Sequence, residues 1–231
     1  MDRLRHDDLL APPLTLARVE GPSGEVVLRR RGEVEELVVD GSFAMDSAEV
    51  SSEVALGRLA AGAARVLVGG LGLGYTVASV LDDADSSQRP VQVDVVELEP
   101  ALVDWAGTGL TPTLGRVGAD TRVRLHVGDV RHVLRGGDQR LPGPWDAILL
   151  DVDNGPDFVI HTGNAALYGE DGLRAAYTRL SPGGTLAIWC QGPSPDLLAT
   201  LRRIGSAVNE QLHHVQRGQR HFTYAICTLT R

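Results

Sequence analysis

The sequence has no lysine, and it has only two cysteines. All 22 basic residues among its 231 are arginines, so neither a Schiff-base lysine nor a P-loop lysine can act in this chain. The two cysteines, Cys190 and Cys227, are too few for a disulfide framework or a zinc site. Both lie in apolar, strand-like segments, so we expect reduced and buried thiols. The sequence also shows no spacing typical of metal ligands, and we expect no metal site.

Long hydrophobic runs are missing as well. No apolar run approaches the ~18 residues that a membrane-spanning helix requires. Residues 1–8 carry five charges and no apolar segment, which is not the pattern of a signal peptide. Hydrophobic residues make up 43% of the chain and charged residues 23%, as in ordinary globular proteins. We therefore expect a cytoplasmic protein without a membrane partner.

Positive charge is scarce. The chain has 30 acidic residues and a formal net charge of −8. An acidic protein repels phosphate backbones, so a nucleic-acid partner is disfavoured. The one tight basic cluster, residues 29–31, is typical of the solvated end of a hairpin. A small-molecule substrate is the favoured partner, and the sequence leaves the oligomeric state open, a homodimer included.

Short apolar runs alternate with helical stretches from residue 65 onward. Runs that are apolar at every position predict strands covered on both faces, as in a parallel sheet. These runs are residues 66–68, 91–96, 123–127, 147–150 and 185–189. Helical stretches between them predict right-handed crossovers. Residues 211–216 and 222–229, joined by a short loop, predict an antiparallel hairpin at the end.

These patterns predict an α/β fold. We expect a Rossmann-like, doubly wound sheet of seven strands, mostly parallel, with an antiparallel C-terminal hairpin. Three alternating segments (residues 14–19, 25–31 and 35–39) are separated by turn residues and predict a small N-terminal β-hairpin or sheet cap. Residues 1–45 therefore form the predicted N-terminal β region, and residues 46–231 form the Rossmann-like domain.

Glycines follow the first strand of the predicted parallel sheet. Gly70, Gly72 and Gly74 precede a helix predicted to begin near Tyr75. A backbone without Cβ atoms lets a ligand approach closely, and a helix N-terminus offers free N–H groups. A tight turn without a ligand is the alternative. The next strand ends at Glu97, 23 residues after Gly74, where an acid can accept hydrogen bonds from both hydroxyls of a ribose.

Two more acids follow strand ends. Asp129, after Gly128, can accept a hydrogen bond from an adenine amino group, or it can cap the next helix. Asp151 follows the fourth strand, and catalytic groups of open α/β sheets lie at such carboxyl ends. His161, in the loop that follows, is a second candidate base, although a plain loop histidine is the alternative.

This ordered set of motifs resembles the class I S-adenosylmethionine-dependent methyltransferase fold, and within it the spermidine synthase group of polyamine aminopropyltransferases. Residues 66–74 resemble the glycine-rich segment of that group, residues 96–100 its ribose-binding strand and residues 146–156 its catalytic loop. The resemblance covers residues 25–231. It implies S-adenosylmethionine, or its decarboxylated form, as cofactor. The implied cofactor-binding residues are Gly70, Gly72, Gly74, Glu97, Gly128, Asp129 and Asp151, with Asp151 also in the position of the catalytic base.

The sequence departs from the group's pattern where amines are held. The acid of the glycine segment falls on Gly72, the second acid of the catalytic loop on Asn154, and an acid of the first helix on Val54. The Tyr-His pair of that helix falls on Ser52 and Glu53. Desolvated ammonium groups need carboxylate partners. Gly72 instead predicts room and a bare N–H for the carboxylate of complete S-adenosylmethionine.

The sequence therefore favours an S-adenosylmethionine-dependent transferase that methylates a small molecule. Methyl transfer needs positioning and at most one base, for which Asp151 is the first candidate and His161 the second. An aminopropyltransferase that makes a polyamine from decarboxylated S-adenosylmethionine is the alternative. A nucleotide-binding module without catalysis is the second alternative.

Overall fold

The computed structural model describes residues 12–152, 165–217 and 220–231. The first element is an antiparallel sheet of four strands that neighbour each other in chain order. These strands are β1 (Leu14–Gly21), β2 (Gly24–Arg31), β3 (Val34–Val39) and β4 (Ser42–Asp46). The predicted N-terminal β region is thus present, with one strand more than the three predicted segments. The division of the chain at residue 45 stays a prediction.

The strand β4 is attached by a two-residue turn. Asp40 has a φ of 47° and Gly41 a φ of 73°. Two consecutive positive φ angles are what a type I′ hairpin turn requires, and Asp-Gly is among its preferred sequences. The turn brings Phe43 and Met45 alongside β3, where Met45 pairs with Leu37.

The basic cluster of residues 29–31 lies at the end of the β2–β3 hairpin, as predicted, with its side chains partly exposed. Arg29 and Arg31 pair with Glu36 of β3, at 2.5 and 3.1 Å, and Arg30 pairs with Glu35 at 3.1 Å. These cross-strand ion pairs set two glutamates against three arginines and so offset most of the positive charge of the cluster. They also explain its position, since residues 29–31 of β2 lie directly opposite residues 34–36 of β3.

The second sheet contains seven strands in the order β10-β11-β9-β8-β5-β6-β7. The strands are β5 (Arg65–Gly69), β6 (Gln92–Glu97), β7 (Val123–Val127), β8 (Trp145–Leu150), β9 (Leu180–Cys190), β10 (Ala207–Arg217) and β11 (Arg220–Thr230). Strands β5 to β9 run parallel, whereas β11 is antiparallel to both β9 and β10. The predicted Rossmann-like sheet and its C-terminal hairpin are confirmed.

Helices cover both faces of this sheet. They are α1 (Ser51–Arg58), α2 (Tyr75–Ser87), α3 (Pro100–Thr108), α4 (Pro112–Ala119), α5 (Val130–Leu134), α6 (Ala165–Tyr168), α7 (Glu170–Thr178) and α8 (Pro195–Ile204). Val66 and Val68 of β5 pack into one core, and Leu67 between them packs into the core on the opposite face. This burial on both faces is the reason that residues 66–68 of β5 are apolar at every position.

Membrane insertion receives no support from the helices. Within the described ranges, no helix combines the length and the hydropathy that crossing a bilayer requires.

The two cysteines lie on neighbouring strands. Cys190 of β9 pairs with Ala225, and Cys227 of β11 pairs with Ile188, so the two residues are offset along the ladder. Both side chains are buried and both are free thiols. We expect a thiol reagent to count two thiols per chain in protein that is denatured without reductant. The native protein should react far more slowly, because burial shields both sulfurs. A count of zero after denaturation would show that the thiols had been oxidised.

Candidate active site

A cavity lies between the carboxyl ends of the parallel strands and the N-terminal sheet. It is partly open to solvent. Leu37, Val39 and Met45 of the N-terminal sheet form one wall, and the residues that follow β5, β6, β7 and β8 form the other. The chain runs from β5 outward to β6 and β7, and then returns to β8 on the other side of β5, which makes the β5–β8 boundary a topological switch point. Ligands of open α/β sheets bind at such a point.

The glycine segment forms the part of the cavity nearest to β8. Gly70 has a φ of 89°, and a Cβ placed there would lie 2.2 Å from the backbone oxygen of Asp151. Only glycine therefore fits at this close approach of two chain segments. Gly70 and Gly72 line the cavity. Gly74 is instead the N-cap residue of α2, with a φ of 88°.

Gly72 does not leave the free space that the sequence predicts. A Cβ at Gly72 would lie 2.7 Å from the sulfur of Met45, and the N–H of Leu73 donates to that sulfur at 3.3 Å. The N–H of Gly72 interacts with the carboxylate of Glu97. The prediction of room and a bare N–H for a methionine carboxylate is therefore wrong. The physical reason is β4, which was not predicted and which carries Met45 into the site.

Glu97 connects the end of β6 to the glycine segment. It is 6% exposed. Its Oε2 accepts a hydrogen bond from the N–H of Leu71 at 2.6 Å, and its Oε1 accepts one from the N–H of Glu99 at 2.8 Å. Burial raises the pKa of Glu97, and the backbone N–H groups of Glu99 and Leu71 oppose that rise. A carboxylate has about four acceptor positions, and with the N–H of Gly72 three are taken, so one remains for a ligand in the cavity.

Glu99 lies beside Glu97 and turns toward the N-terminal sheet. It is 4% exposed, and its Oε1 accepts a hydrogen bond from the N–H of Ser23 at 2.8 Å. Its Oε2 is buried and has no hydrogen-bond partner in the structure. A buried carboxylate oxygen without a donor is costly, and this residue lines the cavity. Glu99 is therefore a functional candidate that sequence reasoning did not single out.

Asp129 serves as the helix cap that the sequence allowed. Its carboxylate accepts a hydrogen bond from the backbone N–H of Arg131 at 2.8 Å, at the start of α5. The Arg131 guanidinium also donates to both oxygens, at 2.9 and 2.6 Å. Asp129 and Gly128 nevertheless line the cavity. Contact between Asp129 and an adenine amino group stays a prediction.

Asp151 follows β8 directly and is partly buried at the cavity wall. Its Oδ2 accepts a hydrogen bond from the hydroxyl of Thr76 at 2.6 Å. Burial raises the pKa of Asp151 to about 6, and the hydrogen bond from Thr76 opposes this rise. The carboxyl group is thus ionised at neutral pH, yet it is a stronger base than an ordinary aspartate. The second candidate base, His161, and also Asn154 lie outside the described residues.

Two cavity residues were missed as site residues in the sequence. Glu53 of α1 is 8% exposed, and Ser52 donates to its Oε2 at 2.6 Å. Trp189, near the end of β9, has a buried indole N–H without a hydrogen-bond partner, and its ring lies 5.2 Å from that of Tyr224. The helical pattern around residue 53 gave no sign that this acid turns inward. That information lies in the packing of α1 against α2.

The cavity is strongly acidic. The carboxylates that line it are Glu53, Glu97, Glu99, Asp129 and Asp151. Of the residues that the structure describes, none that lines the cavity is basic. Those residues also hold no group of three or more side chains suited to a metal ion. The site therefore fits a ligand that is positively charged and rich in hydrogen-bond donors.

Curated proteins named polyamine aminopropyltransferase are similar to this chain. The protein from Mycobacterium tuberculosis is 28% identical over 200 residues, which make up 83% of this chain and 36% of that protein. The protein from Nitrosomonas europaea is 32% identical over 132 residues, which make up 54% of this chain and 37% of that protein. The chain thus spans little more than a third of the length of these relatives. No protein-family model matches the sequence.

Solved structures share the fold. A spermidine synthase in complex with the transition-state analogue AdoDATO has a TM-score of 0.69 at 17% identity, covering 93% of this chain and 72% of that one. An O-methyltransferase from Streptomyces achromogenes in complex with S-adenosylmethionine has a TM-score of 0.53 at 18% identity, covering 80% and 82%. The resemblance to the spermidine synthase group and to the methyltransferase fold is confirmed by these comparisons.

Proposed function

We propose that this chain transfers an aminopropyl group from decarboxylated S-adenosylmethionine to a small amine. The observation that carries the proposal is the charge of the cavity, which five carboxylates line without a basic residue among the described ones; Arg131, outside the lining, pairs with one of them, Asp129, and four remain. Both reactants of this transfer are cations. The carboxylates supply the partners that desolvated ammonium groups need.

The same charge disfavours complete S-adenosylmethionine. Its methionine carboxylate would enter a cavity of like charge, and like charges at close range repel strongly when water is excluded. The sulfur of Met45 also occupies the space beside Gly72 that such a carboxylate would need. Removing that carboxylate leaves an ammonium group, which this cavity favours.

The residues at the ends of β6 and β7 fit the nucleoside half of the cofactor. Glu97 retains an acceptor position for a ribose hydroxyl, and the unpartnered Oε2 of Glu99 needs a donor that a buried ligand can supply. Gly70 and Gly128 present backbone without side chains to the cavity. When bound, the cofactor supplies an alkyl carbon activated by a sulfonium, whose C–S bond breaks as the amine nitrogen bonds to that carbon.

Proton transfer falls to Asp151. An amine acceptor arrives as an ammonium ion, and it must lose one proton before its nitrogen has a free electron pair. The ionised carboxylate of Asp151 takes that proton, and its pKa of about 6 makes it a stronger base than an ordinary aspartate. Glu53, which lies in the same cavity, holds the second ammonium group of a diamine through its carboxylate.

The comparisons favour aminopropyl transfer over methyl transfer, because the curated relatives carry the name of the former activity. Methyl transfer, the first interpretation of the sequence, is the second candidate. It is supported by the fold similarity to the O-methyltransferase. Both candidates are transferases built on this fold.

A comparison of the two cofactors tests the proposal. We expect calorimetry to show that decarboxylated S-adenosylmethionine binds at least ten times more tightly than complete S-adenosylmethionine. Both carry an ammonium group, but only the complete form also carries a carboxylate, which the acidic cavity repels. Product analysis with putrescine as acceptor should detect spermidine and 5′-methylthioadenosine in equal amounts.

The outcomes separate the three candidate functions. Tighter binding of complete S-adenosylmethionine, with methylated product from an amine or hydroxyl acceptor, would contradict the proposal and favour methyl transfer. Binding without any product in a panel of diamines and small acceptors would favour the non-catalytic module.

A further inference from the structure

Thr76 links two acidic residues of the cavity although it is not a lining residue itself. It lies in the first turn of α2 and is 2% exposed. Its hydroxyl donates to Oδ2 of Asp151 at 2.6 Å. The backbone oxygen of Glu53 lies 3.4 Å from the same hydroxyl. Thr76 thus contacts both the proposed base and the backbone of the residue proposed to hold an ammonium group.

A threonine hydroxyl has one proton to donate, so the two acceptors compete for it. The contact with Asp151 is the shorter one by 0.8 Å, and its acceptor is a charged oxygen. Hydrogen bonds to ionised groups are shorter and about twice as strong as neutral ones. The proton therefore points at Asp151 when that carboxylate is ionised. The backbone oxygen of Glu53 is the acceptor that remains when Asp151 is protonated.

We propose that Thr76 is a positioning residue for Asp151. Its hydroxyl fixes the orientation of the carboxylate, directs one oxygen toward α2 and leaves the other to accept a proton from the acceptor. It also stabilises the charged form of the carboxylate through the hydrogen bond. The proposal rests on the proposed function only in that Asp151 is the base.

Among the described residues around Asp151, Thr76 is the one that stabilises the charged form of its carboxylate. Of the residues that the structure describes, the other titratable ones that line the cavity are carboxylates, namely Glu53 on α1, Glu97 and Glu99 after β6, and Asp129 after β7. The Asp129 carboxylate is paired with the Arg131 guanidinium. Burial favours protonation of Asp151. Of the described groups, the hydroxyl of Thr76 is the one that lowers the pKa of Asp151.

The test measures the ionisation of Asp151 directly, in unliganded protein. Carbon-13 label in the aspartate carboxyl groups gives a titration curve for each aspartate, and the signal that disappears in Asp151→Asn identifies Asp151. We expect Thr76→Val, which has nearly the same shape, to raise the pKa of Asp151 from about 6 by about one to two units. Thr76→Ser keeps the hydroxyl and should restore the original value.

A matched control is available on the same helix. Ser79 donates to the backbone oxygen of Val54 at 2.8 Å, so it also joins α2 to α1, but it does not contact Asp151. Ser79→Ala removes a buried hydroxyl of the same interface. We expect this variant to leave the pKa of Asp151 unchanged. Any loss of stability that it shares with Thr76→Val then reports only on the helix interface.

Turnover supplies the second measurement. In Thr76→Val the acid limb of the kcat/KM profile should move to higher pH by the same amount as the titration, with the KM for the nucleoside cofactor unchanged. An unshifted titration of Asp151 in Thr76→Val, or in Thr76→Ala if the valine variant does not fold, would overturn the proposal. Because the titration needs no turnover, a protein that shows the shift but makes no spermidine would refute the proposed function while supporting the role of Thr76.

Discussion

Replacing Asp151 by Asn should lower the rate of the transfer step by roughly 10²–10⁴-fold, the usual contribution of a positioned general base. Asn has nearly the same shape and can still accept a hydrogen bond from Thr76, but it cannot take a proton from an ammonium ion. The affinity for the nucleoside cofactor should therefore be almost unchanged. Single-turnover rates and calorimetry on the same protein samples measure the two quantities separately.

Asp146→Asn is the matched control for this prediction. Asp146 lies near the opposite end of β8, where its carboxylate accepts hydrogen bonds from the N–H groups of Ala64 and Arg65, each at 3.0 Å. Loss of the Asp146 carboxylate should lower the stability of the protein and leave the rate of transfer unchanged. Full activity of Asp151→Asn would show that the base lies elsewhere, and His161 would be the next residue to replace.

The pH dependence follows from the same carboxyl group. A base must be ionised to act, and burial raises the pKa of Asp151 to about 6. The kcat/KM of the unmodified protein should therefore fall as the pH drops below 6, about tenfold for each unit, and level off above it. The acid limb should be missing from the residual activity of Asp151→Asn.

Replacing Glu97 by Ala should weaken nucleoside binding about 10- to 100-fold. The variant removes a charged acceptor from a ribose hydroxyl, and such a hydrogen bond contributes about 1.5–3 kcal/mol. It also leaves the N–H groups of Leu71 and Glu99 without their acceptor, which loosens the glycine segment. Calorimetry with 5′-methylthioadenosine measures the effect without turnover.

The control for Glu97 is an acid with strong contacts outside the cavity. Glu170 pairs with Arg174 at 2.8 Å and with Arg203 at 3.0 Å on the surface of α7. Glu170→Ala should bind the nucleoside as the unmodified protein does. Unchanged affinity in Glu97→Ala would remove Glu97 from the nucleoside site, and Glu99 would then be the remaining acid at that strand end.

The parallel sheet is the part of the fold that the sequence predicts best. Its central strands β5 and β8 are buried on both faces and appear as apolar runs at residues 66–68 and 147–150, whereas β6 contains Asp94 and the edge strand β7 alternates apolar and polar residues. The positions of Asp151 and Glu97 could be predicted for a related reason, since an acid at the end of a strand lies at the carboxyl ends of the parallel strands. The structure puts both on one cavity.

The strand β4 and the helix α4 could not be read from hydrophobic periodicity. β4 has five residues with little alternation, although the Asp40-Gly41 turn before it was a usable signal. α4 contains glycines at 115 and 118 that weaken any helix prediction. Each lets neighbouring backbone approach, since a Cβ at Gly118 would lie 2.2 Å from the backbone oxygen of Ala106. Packing decides this helix, and packing is not visible in the sequence.

The errors about the site have the same origin. A comparison with the family, made one position at a time, indicates that the acids which hold the amines are lost. In the structure, Glu53 supplies a carboxylate from a neighbouring position, and Met45 fills the gap at Gly72. Contacts between elements far apart in the chain determine both outcomes.

Burial of Asp151 also has a thermodynamic effect on the folded state. Its pKa rises from an ordinary 3.8 to about 6, so the folded protein binds this proton more tightly than the unfolded chain does. The resulting stabilisation is complete below about pH 4 and is lost as the pH rises through 6, a change of about 3 kcal/mol in the free energy of unfolding. At neutral pH the ionised carboxylate of Asp151 thus destabilises the fold that holds it. An ammonium ion bound beside the carboxylate offsets this loss, so occupancy of the cavity stabilises the protein more at pH 8 than at pH 5.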